Sequence, residues 1–240
     1  MNSSMPMNVL KTLLWFIPIY VGLTISFSAH AGGIELLEKH ACASCHALTG
    51  PAPTTLDQLW QRKGPDLFYA GNKYRQEWIE QWLQQPTRIR PAGMFYMNHI
   101  TPGPKRNMVD ESTLKQHIQL NQHDAKAIAE TLANMKSHTA LIQTEKHNGS
   151  ISPGPLGEMM FDKIYGCMAC HQIEPGFGGM SGPEVYTAGK RLKPEYMLSY
   201  IRNPQAWDPK IWMPNAHLPD NNKQKLVNYM IKLSKESFNE

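Results

Sequence analysis

Charge is scarce in this chain of 240 residues, and most of it cancels. Lys and Arg number 24 against 20 Asp and Glu, which gives a formal net charge of +4, and only 18% of the residues are charged. A hydrophobic fraction of 41% with so little charge excludes a disordered chain. Because no cluster of Lys and Arg accompanies the small positive charge, the sequence gives no reason to expect nucleic acid as a partner.

Long apolar runs are also missing, except near the N-terminus. Lys11 precedes an apolar stretch at residues 13–27, and Ser28-Ala29-His30-Ala31 then forms a small-residue cleavage pattern. A basic start, a short apolar run and a small-residue exit are typical of a secretory signal peptide. The alternative is a retained membrane anchor, but the stretch is short for a span that needs about 20 residues. We therefore predict a signal peptide over residues 1–31 and export of a soluble mature chain.

Cysteines are few, and all four belong to two identical motifs. Four are too few for a disulfide scaffold in a chain of this size. The motifs are Cys42-Ala43-Ser44-Cys45-His46 and Cys167-Met168-Ala169-Cys170-His171. This C-x-x-C-H pattern is that of c-type haem attachment. Each thiol can form a thioether with one vinyl group of a porphyrin, and the histidine that follows supplies the proximal iron ligand.

Three other uses of these cysteines compete with haem attachment. A tetrahedral zinc site would draw on both pairs and leave each adjacent histidine surplus. A thioredoxin-like redox pair requires a βαβ context, which the sequence does not show. Structural disulfides are possible in an exported protein. None of these explains why histidine follows the second cysteine both times, so we predict two covalently attached haem c groups as cofactors.

The sequence repeats beyond the two motifs. A short helical segment opened by a glycine precedes each motif, at residues 33–40 and 157–164. After each motif comes Gly-Pro, and from there an offset of 118 residues aligns the two halves. The aligned pairs include Gly64-Pro65 with Gly182-Pro183, Trp78 with Tyr196, Trp82 with Tyr200, and Pro86 with Pro204. The paired aromatic residues are four positions apart, so they share one face of a helix that each proline ends.

Each half closes with an amphipathic helix, predicted over residues 124–135 and 223–233 from the spacing of apolar residues. The stretch at residues 137–154 is polar and carries Gly, Ser and Pro, as linkers do. No alternating β pattern of useful length occurs. We predict an all-α chain with a first domain at residues 32–140, a linker at 141–153 and a second domain at 154–240.

The order of these features resembles a class I cytochrome c domain: helix, C-x-x-C-H, Gly-Pro loop, aromatic helix, methionine loop and closing helix. The chain is similar to two such domains in tandem, as in the di-haem periplasmic cytochromes c, and the resemblance covers nearly all of residues 33–240. It implies two helical domains in the periplasm, each wrapped around one haem. It also implies that the carbonyls of Pro65 and Pro183 accept hydrogen bonds from the rings of His46 and His171, which tunes the basicity of these ligands.

The sequence indicates the sixth iron ligand more clearly in the second half than in the first. Met213, followed by a proline and nine residues after Pro204, resembles the axial methionine of the family. In the first half Met94 is the best match. It lies one residue closer to Pro86 than Met213 lies to Pro204, and no proline follows it. The alternatives there are Met97, His99, His117 or an open position. A methionine ligand raises the iron potential, whereas a histidine would lower it. We predict that residues 95–123 form a surface excursion specific to this half.

Electron transfer is the function that these features favour. The two irons would exchange single electrons with partner proteins, and no substrate would be transformed. By resemblance the partners belong to a respiratory chain: a quinol-oxidising cytochrome complex and a terminal oxidase or reductase. The irregular methionine loop of the first half keeps an alternative open, namely a haem enzyme of the peroxidase type or the cytochrome subunit of a periplasmic dehydrogenase.

Overall fold

The computed structural model describes Met1 and residues 28–238. Most of the predicted signal peptide, residues 2–27, lies outside the described residues. Within the described part, no helix combines the length and the apolar character that crossing a bilayer requires.

Short helices make up most of the regular secondary structure in the described chain, so the predicted all-α chain is confirmed as a mostly helical protein. The first half contains α1 (Ser28–Lys39), α2 (Leu56–Trp60), α3 (Ala70–Lys73), α4 (Gln76–Gln84) and α5 (Gln122–Asn134). The second half contains α6 (Leu156–Met159), which continues as a π-helical turn (Met160–Ile164), then α7 (Ala188–Arg191), α8 (Pro194–Arg202), α9 (Pro204–Trp207) and α10 (Asp220–Leu233).

Four short strands, which the sequence did not predict, accompany the helices. In the first half β1 (Ile100–Thr101) pairs antiparallel with β2 (Met108–Val109). In the second half β3 (Gln172–Glu174) pairs antiparallel with β4 (Phe177–Gly178). The β1–β2 pair lies within the predicted excursion, where Met97, Met108 and Ile118 are exposed.

In the first half, α1 crosses α5 at a glycine. A Cβ atom on Gly33 would lie only 1.8 Å from Oγ1 of Thr131, so no larger residue fits between the two helices. This contact places Gly33 inside α1 instead of at its start, where the sequence had suggested it. The core of this half consists of apolar side chains from α1, α3, α4 and α5 and from a leucine two residues before α5: Leu37, Ala70, Ile79, Leu83, Leu120, Ala125, Ile128, Ala129 and Leu132.

The second half repeats this crossing with α6 and α10. A Cβ atom on Gly157 would meet the ring of Tyr229 at 3.0 Å. The core of the second half consists of these buried residues: Met160, Phe161, Ile173, Val185, Ala188, Met197, Leu198, Leu218, Leu226, Val227, Tyr229, Met230 and Leu233. The described residues thus contain two separate apolar cores, one in each half of the chain.

The two halves meet through backbone hydrogen bonds between equivalent residues of the two repeats. The N–H of Arg75 donates to the carbonyl of Arg191 at 3.0 Å, and the N–H of Lys193 donates to the carbonyl of Lys73 at 2.9 Å. Between them Tyr74 and Leu192 form an antiparallel bridge. Residue 192 is the counterpart of residue 74 under the 118-residue offset, so the repeats are arranged about an approximate two-fold axis.

A third apolar cluster fills the space between the halves. It consists of Ala52, Phe68, Tyr69, Tyr196 and Trp207. Beside it, the guanidinium of Arg62 from the first half bonds to the carboxylate of Asp208 from the second and to Oδ2 of Asp66 at 2.8 Å. All three side chains are more than nine-tenths buried. Buried charges of this kind require partners, so this triad ties the halves together.

The predicted linker packs against the second half. Oγ of Ser199 donates to the carbonyl of Leu141 at 2.7 Å, and the ring of His147 bonds to Oδ1 of Asn228 at 2.7 Å. The buried carboxylate of Glu145 pairs with Arg202 at 2.6 Å. The linker segment therefore adds packing and hydrogen bonds to the second half.

Candidate functional site

The first C-x-x-C-H motif is folded into a tight turn directly after α1. A left-handed residue, Ala41 with φ of 51°, ends the helix and starts a 3-10 turn at Cys42–Ser44. The N–H groups of Cys45 and His46 both point back to the carbonyl of Cys42, at 3.2 and 3.0 Å. This turn keeps the two thiols and the imidazole close together, and both thiols are free.

The second motif has the same local structure. Gly166, with φ of 64°, starts a 3-10 turn at Cys167–Ala169. The N–H groups of Cys170 and His171 again donate to the carbonyl of Cys167, both at 3.1 Å, and both thiols are free. The left-handed position ahead of each turn is filled by alanine in one half and by glycine, which adopts this conformation without strain, in the other.

The first thiol of each motif is half-buried. Burial raises the pKa of the Cys42 and Cys167 thiols above the ordinary value, so both are protonated at neutral pH instead of being activated thiolates. Among the described residues, no three or more His, Cys, Asp or Glu side chains gather into a group that could hold a metal ion. This disfavours a zinc site shared by the two pairs.

Each motif histidine is held by a proline carbonyl. Nδ1–H of His46 donates to the carbonyl of Pro65 at 2.8 Å, and Nδ1–H of His171 donates to that of Pro183 at 2.6 Å. Burial lowers the pKa of His46, and it lowers the pKa of His171 to about 4. Both rings are therefore neutral at pH 7, with Nδ1 protonated and the lone pair on Nε2, which is the form that binds a metal ion.

A glycine next to each proline makes room for the ring. A Cβ atom on Gly64 would lie 2.6 Å from Cε1 of His46, and one on Gly182 would lie 2.6 Å from Cε1 of His171. Such distances are shorter than van der Waals contact, so only glycine allows the proline carbonyl to reach Nδ1. Free thiols, a neutral imidazole with an available Nε2 and this glycine cradle fit covalently attached haem in both halves.

Aromatic rings line one face of the helix that follows each cradle. In the first half Tyr74, Trp78 and Trp82 stack in a row, with ring centroids 5.4 and 5.6 Å apart. In the second half Tyr196 and Tyr200 lie 5.4 Å apart. These residues show the spacing of four that the sequence contained. In the first half they pack on the same apolar core as Cys42, whereas Tyr196 and Tyr200 belong to the cluster between the halves.

His117, one of the four candidate ligands of the first half, lies beside His46. The centroids of the two rings are 6.2 Å apart. The ring of His117 also packs on Trp82 at 4.6 Å, and its Nδ1–H donates to the carbonyl of Ile118 at 2.8 Å. His117 is exposed to solvent.

The other three candidates in the first half have different surroundings. Nδ1 of His99 bonds to Oγ1 of Thr113 at 2.9 Å, and its ring lies against Gly93. The side chain of Met97 is 69% exposed. Met94 is half-buried, and its neighbour Phe95 packs its ring on that of Trp60 at 4.9 Å.

Met213 in the second half lies in a loop fixed by one side chain. Nε2 of Gln205 donates to the carbonyl of Met213 at 2.8 Å and to that of Ile211 at 3.3 Å. The side chain of Met213 is half-buried, whereas that of its neighbour Trp212 is 57% exposed.

Arg90 is a residue that the sequence analysis missed. It belongs to the methionine loop of the first half, yet its Nη1 donates to the carbonyl of Ser181 in the second half at 3.1 Å. The N–H of Glu184 donates to the carbonyl of Ile89 at 2.8 Å, so this loop lies directly on the cradle of the second motif. Burial lowers the pKa of Arg90, but an arginine remains charged in proteins. Only the packing of the halves shows that this cation serves the second site.

Comparison with known proteins supplies no relative: no family model matches the chain, and no curated protein or solved structure is similar to it.

Proposed function

We propose that this protein is a di-haem c-type cytochrome that carries single electrons. One observation carries the proposal: the two C-x-x-C-H motifs share the same turn, the same glycine cradle and the same histidine-to-proline hydrogen bond. Such duplication of an entire ligand environment is expected for two copies of one cofactor site. It is not expected for disulfides, which need no histidine at all.

Each half would hold one haem through two cysteines, one histidine and one proline carbonyl. In the first half the thiols of Cys42 and Cys45 would form the thioethers. Nε2 of His46 would hold the iron, while the carbonyl of Pro65 fixes the ring. In the second half Cys167, Cys170, His171 and Pro183 take the same roles. When bound, the haem supplies one-electron chemistry, and the protein tunes its potential through axial ligands, hydrogen bonds and burial.

The protein environment keeps each imidazole in one tautomer. The proline carbonyl accepts a hydrogen bond from Nδ1–H, which increases the electron density on Nε2 and the basicity of the ligand. In the first half the aromatic residues of α4 pack beside Cys42 and would exclude water from that haem. For the second haem we assign Met213 as the sixth ligand, which raises its potential. For the first haem, Met94 remains the prediction from the sequence.

The proposal includes two tandem domains, each wrapped around one haem in the manner of class I cytochromes c. It also includes export to the periplasm and partners in a respiratory chain: a quinol-oxidising cytochrome complex as donor and a terminal oxidase or reductase as acceptor. The net charge of +4 is too small to steer such partners over long distances, so docking would depend on local surfaces. Redox encounters of this kind use small interfaces.

A haem enzyme of the peroxidase type requires an iron with an open sixth position, whereas the cytochrome subunit of a periplasmic dehydrogenase would itself carry electrons. The ring of His117 beside His46 argues against an open position in the first half, so we do not adopt the peroxidase alternative.

An electron count tests the proposed function. The full chain is produced in a bacterial host that exports it and attaches haem c, then reduced with dithionite and titrated with ferricyanide. We expect two electrons per chain, released without any substrate. The variants Cys45→Ala and Cys170→Ala should each compromise one haem and leave the other. A chain that releases no electrons, or that consumes peroxide rapidly, would contradict the proposal.

A further inference from the structure

A second histidine, His117, lies beside His46 in the first site. The features that the two halves share do not account for it. By the spacing of the two motifs, 125 residues, the counterpart of His46 is His171. The ring next to His171 is that of Phe161, at 6.3 Å, and the counterpart of Phe161 is Leu36. His117 therefore occupies a place beside His46 that has no equivalent around His171.

The separation of the two histidine rings suits two ligands of one metal ion. A metal ion lies about 2 Å from an imidazole nitrogen and about 1 Å more from the ring centre, so two rings on opposite sides of it have centroids roughly 6 Å apart. The centroids of His46 and His117 are 6.2 Å apart. Distance alone does not decide the matter, because ordinary aromatic pairs span the same range.

The hydrogen bonds of the two rings add a second observation. Nδ1 of His46 is engaged by the carbonyl of Pro65, and Nδ1 of His117 is engaged by the carbonyl of Ile118. Both rings are thus held in the same tautomer, and the lone pair of each lies on Nε2. Metal-ligating histidines almost always use their second nitrogen in this way, with a backbone carbonyl or a carboxylate as partner.

The segment that carries His117 is fixed to α4. The N–H of Leu120, which is buried, donates to the carbonyl of Leu83 at the end of α4 at 2.9 Å. Three residues earlier, the ring of His117 packs on Trp82 of the same helix at 4.6 Å. The excursion between Phe95 and α5 therefore returns along α4 and brings His117 to the aromatic face beside His46.

We propose that His117, not Met94, is the sixth ligand of the iron in the first haem, so that this haem has two histidine ligands. The inference rests on the proposed function, since it presupposes a haem on His46. The excursion, which the second half lacks, then has a role: it delivers a ligand. Because two histidines give a lower potential than histidine and methionine, the first haem would accept electrons less readily than the second, and electrons would pass from the first to the second.

The spectrum of the unaltered protein is the first test. Methionine ligation produces a sulfur-to-iron charge-transfer band in ferric haem, and bis-histidine ligation does not. We expect near-infrared magnetic circular dichroism and electron paramagnetic resonance to show one bis-histidine and one histidine–methionine haem per chain. Two histidine–methionine haems would overturn the assignment, whatever happens to any variant.

Substitution then locates the ligand. In His117→Ala the first haem should become high-spin, and added imidazole should restore the low-spin form, while the second haem stays unchanged. His117→Met should raise the lower of the two potentials. The matched controls are His99→Ala, a histidine of the same excursion, and Met94→Leu, and both should leave the spectrum unaltered. Loss of low-spin character in Met94→Leu alone would overturn the proposal.

The two claims can fail separately. Each preparation is first denatured and its covalent haem counted. A chain without covalent haem contradicts the proposed function itself. A chain with two haems whose spectra do not respond to His117 contradicts only the ligand assignment.

Discussion

Replacing Gly64 by alanine is the perturbation that most directly probes the cradle of the first site. The new Cβ atom would lie 2.6 Å from Cε1 and 2.8 Å from Nδ1 of His46, and 3.1 Å from the carbonyl oxygen of Cys45. The ring must move, because the other neighbour is backbone. Movement of the ring breaks its hydrogen bond to Pro65.

The magnitude follows from three contributions to the free energy of unfolding. Overpacking of a tight site destabilises by about 1–3 kcal/mol. Loss of the bond between His46 and Pro65 removes about 1 kcal/mol. The reduced entropy of the unfolded chain returns about 0.5 kcal/mol on going from glycine to alanine. We therefore expect Gly64→Ala to lose about 2 kcal/mol, which corresponds to a decrease in melting temperature of roughly 4–8 °C for a chain of this size.

The assay combines urea denaturation with the haem spectrum. Gly64→Ala should disturb the first haem and leave the second, and Gly182→Ala should do the reverse, because its Cβ atom would lie 2.6 Å from Cε1 of His171. The matched control is Gly149→Ala, whose Cβ atom would meet only Cε1 of His147 at 3.6 Å, an ordinary contact. If Gly64→Ala is as stable as the control and its first haem is unaltered, the reasoning about the cradle is wrong.

Three further predictions concern charged side chains. His40, His123 and Lys39 hold the pKa of Asp124 well below its usual range. Asp124→Asn should therefore reduce the urea midpoint at pH 7. The difference should begin to shrink as the pH falls below about 4 and disappear only at more acidic pH, because the stabilisation is lost as the pH falls through the lowered pKa of the folded state. Arg62→Met leaves two buried carboxylates unpaired and should lose about 3–5 kcal/mol, much of it recovered in the double variant with Asp208→Leu; an unchanged unfolding curve would exclude the triad as a tie between halves. Arg90→Leu removes a half-buried cation beside the second site and should lower the potential of the second haem in a redox titration, since a nearby positive charge favours the reduced iron.

The sequence predicted those helices whose apolar or aromatic residues recur three or four positions apart. The closing helix predicted at residues 124–135 is α5, Gln122–Asn134, which begins where the side chain of Asn121 accepts a hydrogen bond from the N–H of Asp124. The helix with paired tyrosines is α8, which ends at Arg202 before Pro204. Pro204 also begins α9, since proline at the first position of a helix lacks only an N–H that would be unpaired there.

Features that depend on contacts between distant residues were not predictable. Gly33 was expected to open a helix, but α1 starts at Ser28, and Gly33 lies where α5 crosses it. The strands β1 to β4 have two or three residues each, too few to show an alternating pattern. Arg90 was not singled out by the sequence, and His117 was one of four candidates that the sequence could not rank by contact. Their roles follow from the packing of one segment on another, which no periodicity records.

The covalent state of the four cysteines tests the central claim most directly. The full chain, produced in a haem-attaching host, is denatured, treated with a thiol reagent and weighed by mass spectrometry. The account predicts a mass increased by two haems and no reaction at Cys42, Cys45, Cys167 and Cys170. Thiols that all react, or a chain that carries zinc and no haem, would contradict it.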